Sequence, residues 1–260
     1  MYVVLLKLRG DVAASRAPTS EQLSEALKGA LTREDHEARP VGRETSTEPQ
    51  NSLEEDFAEF FPILKSGNDN ENTPLGYMKS RGFDWLDLER YNVHFALSGR
   101  YSYRVIIPCY ENFRLVYFTA RSYINQQPTY LNPANSRCPL NRNEVVFNID
   151  NVVPGEPVVI CEGQLNAMTV HGTAVATLGK AVTTAQLQRL LSKHAGEYIC
   201  ALDRDAWTEN VSLANRIEST GHKVSLVQWP EGHDAASLGR EECSRVIAGR
   251  IQVWEAPFIL

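Results

Sequence analysis

The sequence predicts an α/β protein: a doubly wound parallel sheet towards the C-terminus, preceded by a mixed α+β region with antiparallel strands. Two observations carry that expectation. From Pro157 onward, short apolar runs alternate with amphipathic helical segments, the pattern of strands that need crossover helices. Between residues 100 and 142, the runs YRVIIPCY and RLVYFTAR flank an E-N-F turn, the pattern of a twisted antiparallel hairpin. The 260 residues, 43% hydrophobic and 22% charged, suffice for one large domain or two smaller ones without disulfide staples.

Residues 1–10 read as a short strand, and Thr19–Leu31 as a helix with Leu23, Ala26, Leu27, Ala30 and Leu31 on one face and Ser20 as cap. Residues 32–72 are polar and broken by Pro40 and Pro49, and only LEEDFAEFFPIL (53–64) has apolar content there. Residues 1–73 are therefore expected to be a helix followed by an acidic linker or arm. Within it, residues 51–71 hold six acids against Lys65, net −5, suiting a solvated segment or a docking tail for a basic partner. Residues 100–142 are the opposite, with six arginines and one glutamate, net +5. Arginines interleaved with Tyr101, Tyr103, Tyr117, Phe118, Tyr123 and Tyr130 suit phosphate contacts and base stacking, or plain strand packing. This region, 74–150, forms the second expected unit, and 151–260 the third.

In the third unit VVICEG is a strand, QLNAMTVHG a helix, TAVATLG a strand, and TTAQLQRLLSKHAG a helix capped by Thr183 or Thr184. EYICALDRD is a strand, SLANRIESTGH a helix ending at Gly221, and KVSLVQWPEG a strand. No apolar run is long enough for a membrane span, and the N-terminus does not read as a secretory signal. The five cysteines (109, 138, 161, 200, 243) form no C-x-x-C pair, so neither zinc nor disulfides are expected, and a cytoplasmic location is.

In doubly wound sheets ligands bind beyond the carboxyl ends of the strands, and the acids gather there. Glu162 closes VVIC, Asp203 and Asp205 close YICAL, and Asp234 follows the last strand. Carboxylates converging on one edge repel unless a cation sits among them, and hard oxygen ligands favour magnesium or manganese. Gly163 is expected to let the backbone turn tightly and a phosphate approach. His171, His194, Trp207 and Trp229 read as packing or surface residues, and His233 as a possible phosphate contact beside Asp234.

E-G after one strand, D-x-D after another and P-x-G-x-D after a third make a joint pattern. On it, residues 157–238 resemble a Toprim domain, and within that fold the replicative primases of bacteria and their phages. VVICEGQLNAMTVHGTAVATLGKAVTTAQLQRL, ICALDRDAW and VQWPEGHDAASL carry the resemblance. Upstream, PLGYMKSRGFDWLDLERYNVHFAL (74–97) is similar to the helix–turn–helix that opens the primase core, and RVIIPCYENFRLVYFTARS with PTYLNPANSRCPLNRNEVVFN to its N-terminal subdomain. The resemblance implies metal ligation by Glu162, Asp203, Asp205 and Asp234, with the first three catalytic. It implies a template and nucleotide groove at Arg121, Tyr130, Asn132 and Arg142, to which Arg104, Lys180 and His233 are added. Three positions depart from the family: Asn166 replaces an Asp, Thr129 a Lys, and His233 a Lys.

The resemblance implies an enzyme that makes short RNA primers on single-stranded DNA from NTPs with Mg²⁺ or Mn²⁺. A replicative helicase, or a separate zinc-binding start-site protein, is the expected partner, and the host cytoplasm the location if the chain is phage-encoded. Three rivals remain: a Toprim metal-dependent nuclease, a topoisomerase, and a primase-like DNA-binding subunit without catalysis. No GxxxxGK[ST] loop accompanies the acids, and a separate domain bearing a tyrosine nucleophile, which a topoisomerase would need, is not expected. The net charge of −6 argues against nucleic acid only as an average. The excess sits in 51–71, residues 158–235 contribute −2, and the basic 100–142 segment adjoins the acids in sequence.

Overall fold

A computed structural model of the chain describes residues 52–65, 68–70 and 72–258, so the expected strand at 1–10 and helix at 19–31 lie outside the described residues. The chain enters the fold earlier than the boundary at residue 74. Helix α1 (Ser52–Ala58) and strand β1 (Phe61–Pro62) belong to it, with Leu53, Phe60 and Ile63 buried. The reason is legible in LEEDFAEFFPIL: Leu53, Phe57 and Phe60 recur at i, i+4 and i+7, so Glu54, Glu55 and Glu59 face water while the apolar stripe packs and Asp56 pairs with Arg137. The arm reading is corrected for this stretch.

Thr73 caps α2 (Pro74–Ser80) by accepting from the Gly76 amide, and Asp84 caps α3 (Trp85–Arg90) through a capping box with Asp87. Strands β2 (His94–Ala96), β3 (Arg104–Glu111) and β4 (Arg114–Ser122) follow, and the first sheet runs β1-β2-β3-β4, antiparallel throughout. Asn112 and Phe113 link β3 to β4, both at positive φ (52° and 61°), as a hairpin turn matched to the strand twist requires. Their amides donate to the Asp150 carboxylate at 2.9 and 2.8 Å, tying the hairpin tip to the chain before the second sheet.

That sheet comprises β5 (Pro157–Cys161), β6 (Val175–Ala176), β7 (Glu197–Ala201), β8 (Val224–Leu226) and β9 (Ile251–Gln252), in the order β6-β5-β7-β8-β9. β5 through β8 are parallel, as expected, whereas β9 adds an antiparallel edge that no sequence pattern announced. Connecting helices are α4 (Gln164–Val170), α5 (Thr184–Leu191), α6 (Trp207–Glu218), α7 (Ala235–Leu238) and α8 (Arg240–Ala248). α6 starts five residues ahead of the expected SLANRIESTGH, and of the two expected caps for α5 it is Thr183 that serves, in a capping box with Gln186.

Alternation along the strands divides the interior. Val158 and Ile160 pack with Leu187 and Leu190 of α5 and with Leu213 and Ile217 of α6. Val159 and Cys161 face the other way and share a cluster with Leu165 and Met168 of α4 and with Ile107 and Tyr117 of the antiparallel sheet. A fully buried side chain such as Ile160 stabilises the fold by roughly 1.5–3 kcal/mol. α1 covers the outer face of the first sheet over Ile106, Phe118 and Ala120. All five cysteines are free, and Cys138 alone among them is not fully buried. Among the described residues no helix is long and apolar enough to cross a membrane.

Candidate active site

With β6 on one side of β5 and β7 on the other, the crossovers leaving β5 and β6 part to opposite faces, which opens a crevice at the carboxyl ends of β5 and β7. Glu162 and Asp203 stand at those ends. Carboxylate oxygens of Glu162, Asp203 and Asp205 lie within 4.8 Å of one another. The D-x-D turn is fixed from beneath: buried Asn210 accepts from the Leu202 amide (3.1 Å) and donates to Cys200 O (3.2 Å). Arg204 turns away and donates to Trp229 O at 2.6 Å, while the Trp229 indole donates to Ala201 O at 3.2 Å, so Trp229 is a packing residue as read.

The cluster is short of positive charge. Burial, reinforced by Asp203, pushes the Glu162 carboxyl up to about 7, and its Oε2 is buried without a hydrogen-bond partner. Burial, with Asp234 and Asp205 nearby, also raises Asp203. Lys180 pairs with Asp205 at the exposed rim. An orphaned oxygen among three acids at one strand edge is the donor set of a hard divalent cation, and a divalent metal fits these residues.

Asn166 is built into the same edge. Its Nδ2 donates to Asp203 Oδ1 at 2.7 Å and its Oδ1 accepts from the Ala236 amide at 3.0 Å. An aspartate here would accept from Ala236 but could not donate to Asp203. Asp234 is near, but not in the three-acid cluster: its Oδ1 accepts from the Ser237 amide at 2.8 Å in the capping box of α7. His233 lies exposed beside Asp203, Asp205 and Asp234 in a second, more open hollow. Gly163 has φ −107° and open space before it, so the turn does not need glycine; what the missing side chain leaves is room.

Facing the acids across a cleft of about 560 Å³ is a basic wall. Arg121, Tyr130, Asn132 and Arg142 line it together with Glu162, Asp203 and Asp234. The Arg121 guanidinium lies 4.9 Å from the Tyr130 ring centroid and also donates to the Tyr77 and Tyr130 hydroxyls. Arg142 donates to Leu178 O, and Asn132 Oδ1 is buried without a partner. Sequence reading missed Arg81, which also lines the cleft and lies 5.3 Å from the Tyr77 ring; the K-S-R-G run closing α2 was its only sequence signal.

Arg104 is a correction. It is 1% exposed, and its guanidinium donates to Gln126 Oε1 (2.8 Å), Pro128 O (2.6 Å) and Ser102 O (3.4 Å). It holds the loop that delivers Tyr130 and Asn132 and does not face the cleft. Alternation explains the difference: Arg121 pairs in register with Val105, so Arg104 and Arg121 sit one step apart on neighbouring strands and face oppositely.

A family model described as Toprim-like matches residues 159–238. A comparison with curated proteins finds no match. Among solved structures, a DnaG primase catalytic domain bound to ssDNA is similar at 17% identity and a TM-score of 0.66, over 80% of both chains. A DNA primase domain from Pseudomonas aeruginosa is similar at 19% identity and TM-score 0.64, over 81% of this chain and 80% of that one. The zinc-binding and RNA polymerase domains of the Aquifex aeolicus primase give 22% identity and TM-score 0.59, over 68% of this chain and 55% of that one. The chain therefore carries a Toprim-like segment, with its clustered acids, inside a fold shared with bacterial primase catalytic cores.

Proposed function

We propose that this protein is a primase-type nucleotidyltransferase that joins ribonucleoside triphosphates into short primers on single-stranded DNA. The observation that carries the reading is one cleft lined by the acids Glu162, Asp203 and Asp234, with Asp205 clustered beside the first two, and by Arg81, Arg121, Tyr130, Asn132 and Arg142. Glu162, Asp203 and Asp205 would hold magnesium or manganese, with Asp234 alongside, and a bound ion would offset charge on the phosphates and the leaving pyrophosphate. Arg121 and Arg142 would clamp phosphates, and Tyr130 offers a ring for base stacking. Where Glu162 stands beside the ion instead of ligating it, its raised carboxyl suits the base that takes the proton as a 3′-hydroxyl oxygen bonds to the α-phosphorus and the bond to pyrophosphate breaks. Lys180, paired with Asp205, and His233, in the neighbouring hollow, would meet the outer phosphates.

The test is incubation with single-stranded DNA, labelled NTPs and Mg²⁺ or Mn²⁺, alongside Asp203→Ala and Asp205→Ala. Short RNA products, lost in both variants, are expected. DNA cleavage without nucleotide incorporation would replace the reading with a hydrolase, and metal-independent DNA binding alone with a non-catalytic subunit.

A further inference from the structure

The acids of the cleft follow strands of the second sheet, whereas Arg121 lies on β4 of the first, and a ligand that bridges them needs a fixed spacing. Most of what joins the two sheets is apolar packing, which sets distance without fixing register. Gln164 is the exception nearest the chemistry. It is buried, 5% exposed, and stands two residues after Glu162. Its Oε1 accepts from the Thr119 hydroxyl of β4, while its Nε2 donates to Ile107 O (3.2 Å) and faces Cys109 Sγ (3.3 Å) of β3. Thr119 in turn stands two residues before Arg121, on the same face of β4. Thr119 and Gln164 both line the cleft.

We infer that the Gln164–Thr119 pair is a positioning device that sets the distance between the metal-binding edge and the phosphate clamp, so that a metal-bound triphosphate engages both walls at once. This rests on the nucleotide reading above and deepens it. The amide is oriented by chemistry: its oxygen meets a hydroxyl donor and its nitrogen a carbonyl, so neither end can be exchanged without leaving a buried polar group unpaired. Neither residue needs to touch the reacting atoms. Displacements of about 1 Å in such supports cost up to 100-fold in rate.

The test separates coupling from folding. Binding of Mn²⁺ alone, of single-stranded DNA alone, and of manganese–ATP is measured on the intact protein and on Gln164→Leu, Thr119→Val and Thr119→Ser. Gln164→Leu and Thr119→Val are expected to weaken manganese–ATP binding about tenfold, leaving Mn²⁺ and DNA binding within about twofold; Thr119→Ser, which keeps the hydroxyl, restores it. Equal loss of all three, unchanged manganese–ATP binding, failure of the serine to rescue, or no manganese–ATP binding by the intact protein each overturns the inference. An intact protein that binds manganese–ATP but makes no primers overturns the polymerase reading alone.

Discussion

Two glutamates at adjacent parallel strands of the second sheet start from the same ordinary acidity and end far apart. Glu197 opens β7 at the amino edge, and Glu162 follows β5 at the carboxyl edge. Glu197 is 4% exposed, yet Arg250 donates to both its oxygens at 3.0 Å, Ser225 donates at 2.8 Å and Lys223 lies 3.2 Å away. The Arg250 bonds, helped by Ser225 and Lys223, draw its carboxyl down to about 2. Glu162 has no such bonds, and burial beside Asp203 drives it up to about 7. Burial alone does not separate them; compensation does. The amino edge is finished as structure, and the carboxyl edge is left wanting a cation, which is how a binding edge differs from a supporting one.

The largest expected effect comes from breaking the finished edge. Arg250→Ala should cost about 3–5 kcal/mol in urea unfolding, because it strips the main partner from a buried carboxylate. The same bonds set an acid dependence. Glu197 titrates near 2 when folded and at its ordinary value when unfolded, so its contribution is complete above pH 4.5 and fades as pH falls towards 2. Acid unfolding of Glu197→Gln should lack that component.

At the unfinished edge, Asp203→Ala should lower primer synthesis roughly 100- to 1,000-fold without a comparable loss of stability. Steady-state incorporation and thermal unfolding on one preparation check both halves. Third in size, Arg104→Met should destabilise by about 2–3 kcal/mol, since Gln126 and Pro128 lose a buried donor. Arg121→Met should cost far less stability and weaken DNA and triphosphate binding instead. Equal unfolding midpoints for the two variants would contradict the assignment of their roles.

The smallest effect is the converse of Glu197. Glu162 has a raised folded value, so the folded chain holds a proton that the unfolded chain has released, and metal-free stability declines as pH rises from 4.5 through 7. Glu162→Gln should therefore stabilise the metal-free protein at pH 8 by on the order of 1 kcal/mol. Added Mn²⁺ should stabilise the parent chain but not the variant to the same degree.

The carboxyl edge was readable because strand-end acids occupy sequence positions that the α/β pattern itself locates. Glu162, Asp203 and Asp205 needed only the strand boundaries to be brought together. The amino edge was not, because Glu197 meets Arg250 through β9, a two-residue antiparallel strand that carries no periodicity. Arginines of the basic segment were visible as a group but not one by one. Arg104 and Arg121 differ by a step of register, and composition is blind to register. Asn166 was legible as a departure, while its double hydrogen bond depended on a turn 70 residues away. Leu53, Phe57 and Phe60 show the opposite failure, a helical stripe overlooked because the surrounding residues were acidic.

The two-residue turn between β3 and β4 bears on the order of folding. Its hairpin closes over a minimal loop, on the order of microseconds for such a unit, whereas β5 meets β7 only after α4, β6 and α5 have been laid between them. Loop closure grows costlier with length, so local pairs form ahead of distant ones. Pulse-labelled hydrogen exchange should find Val105–Cys109 protected before Val158–Cys161, and simultaneous protection would refute that order. The strand bearing Arg121 is then in place before Glu162, Asp203 and Asp205 converge, and the mutually repelling carboxylates gather opposite positive charge that is already waiting for them.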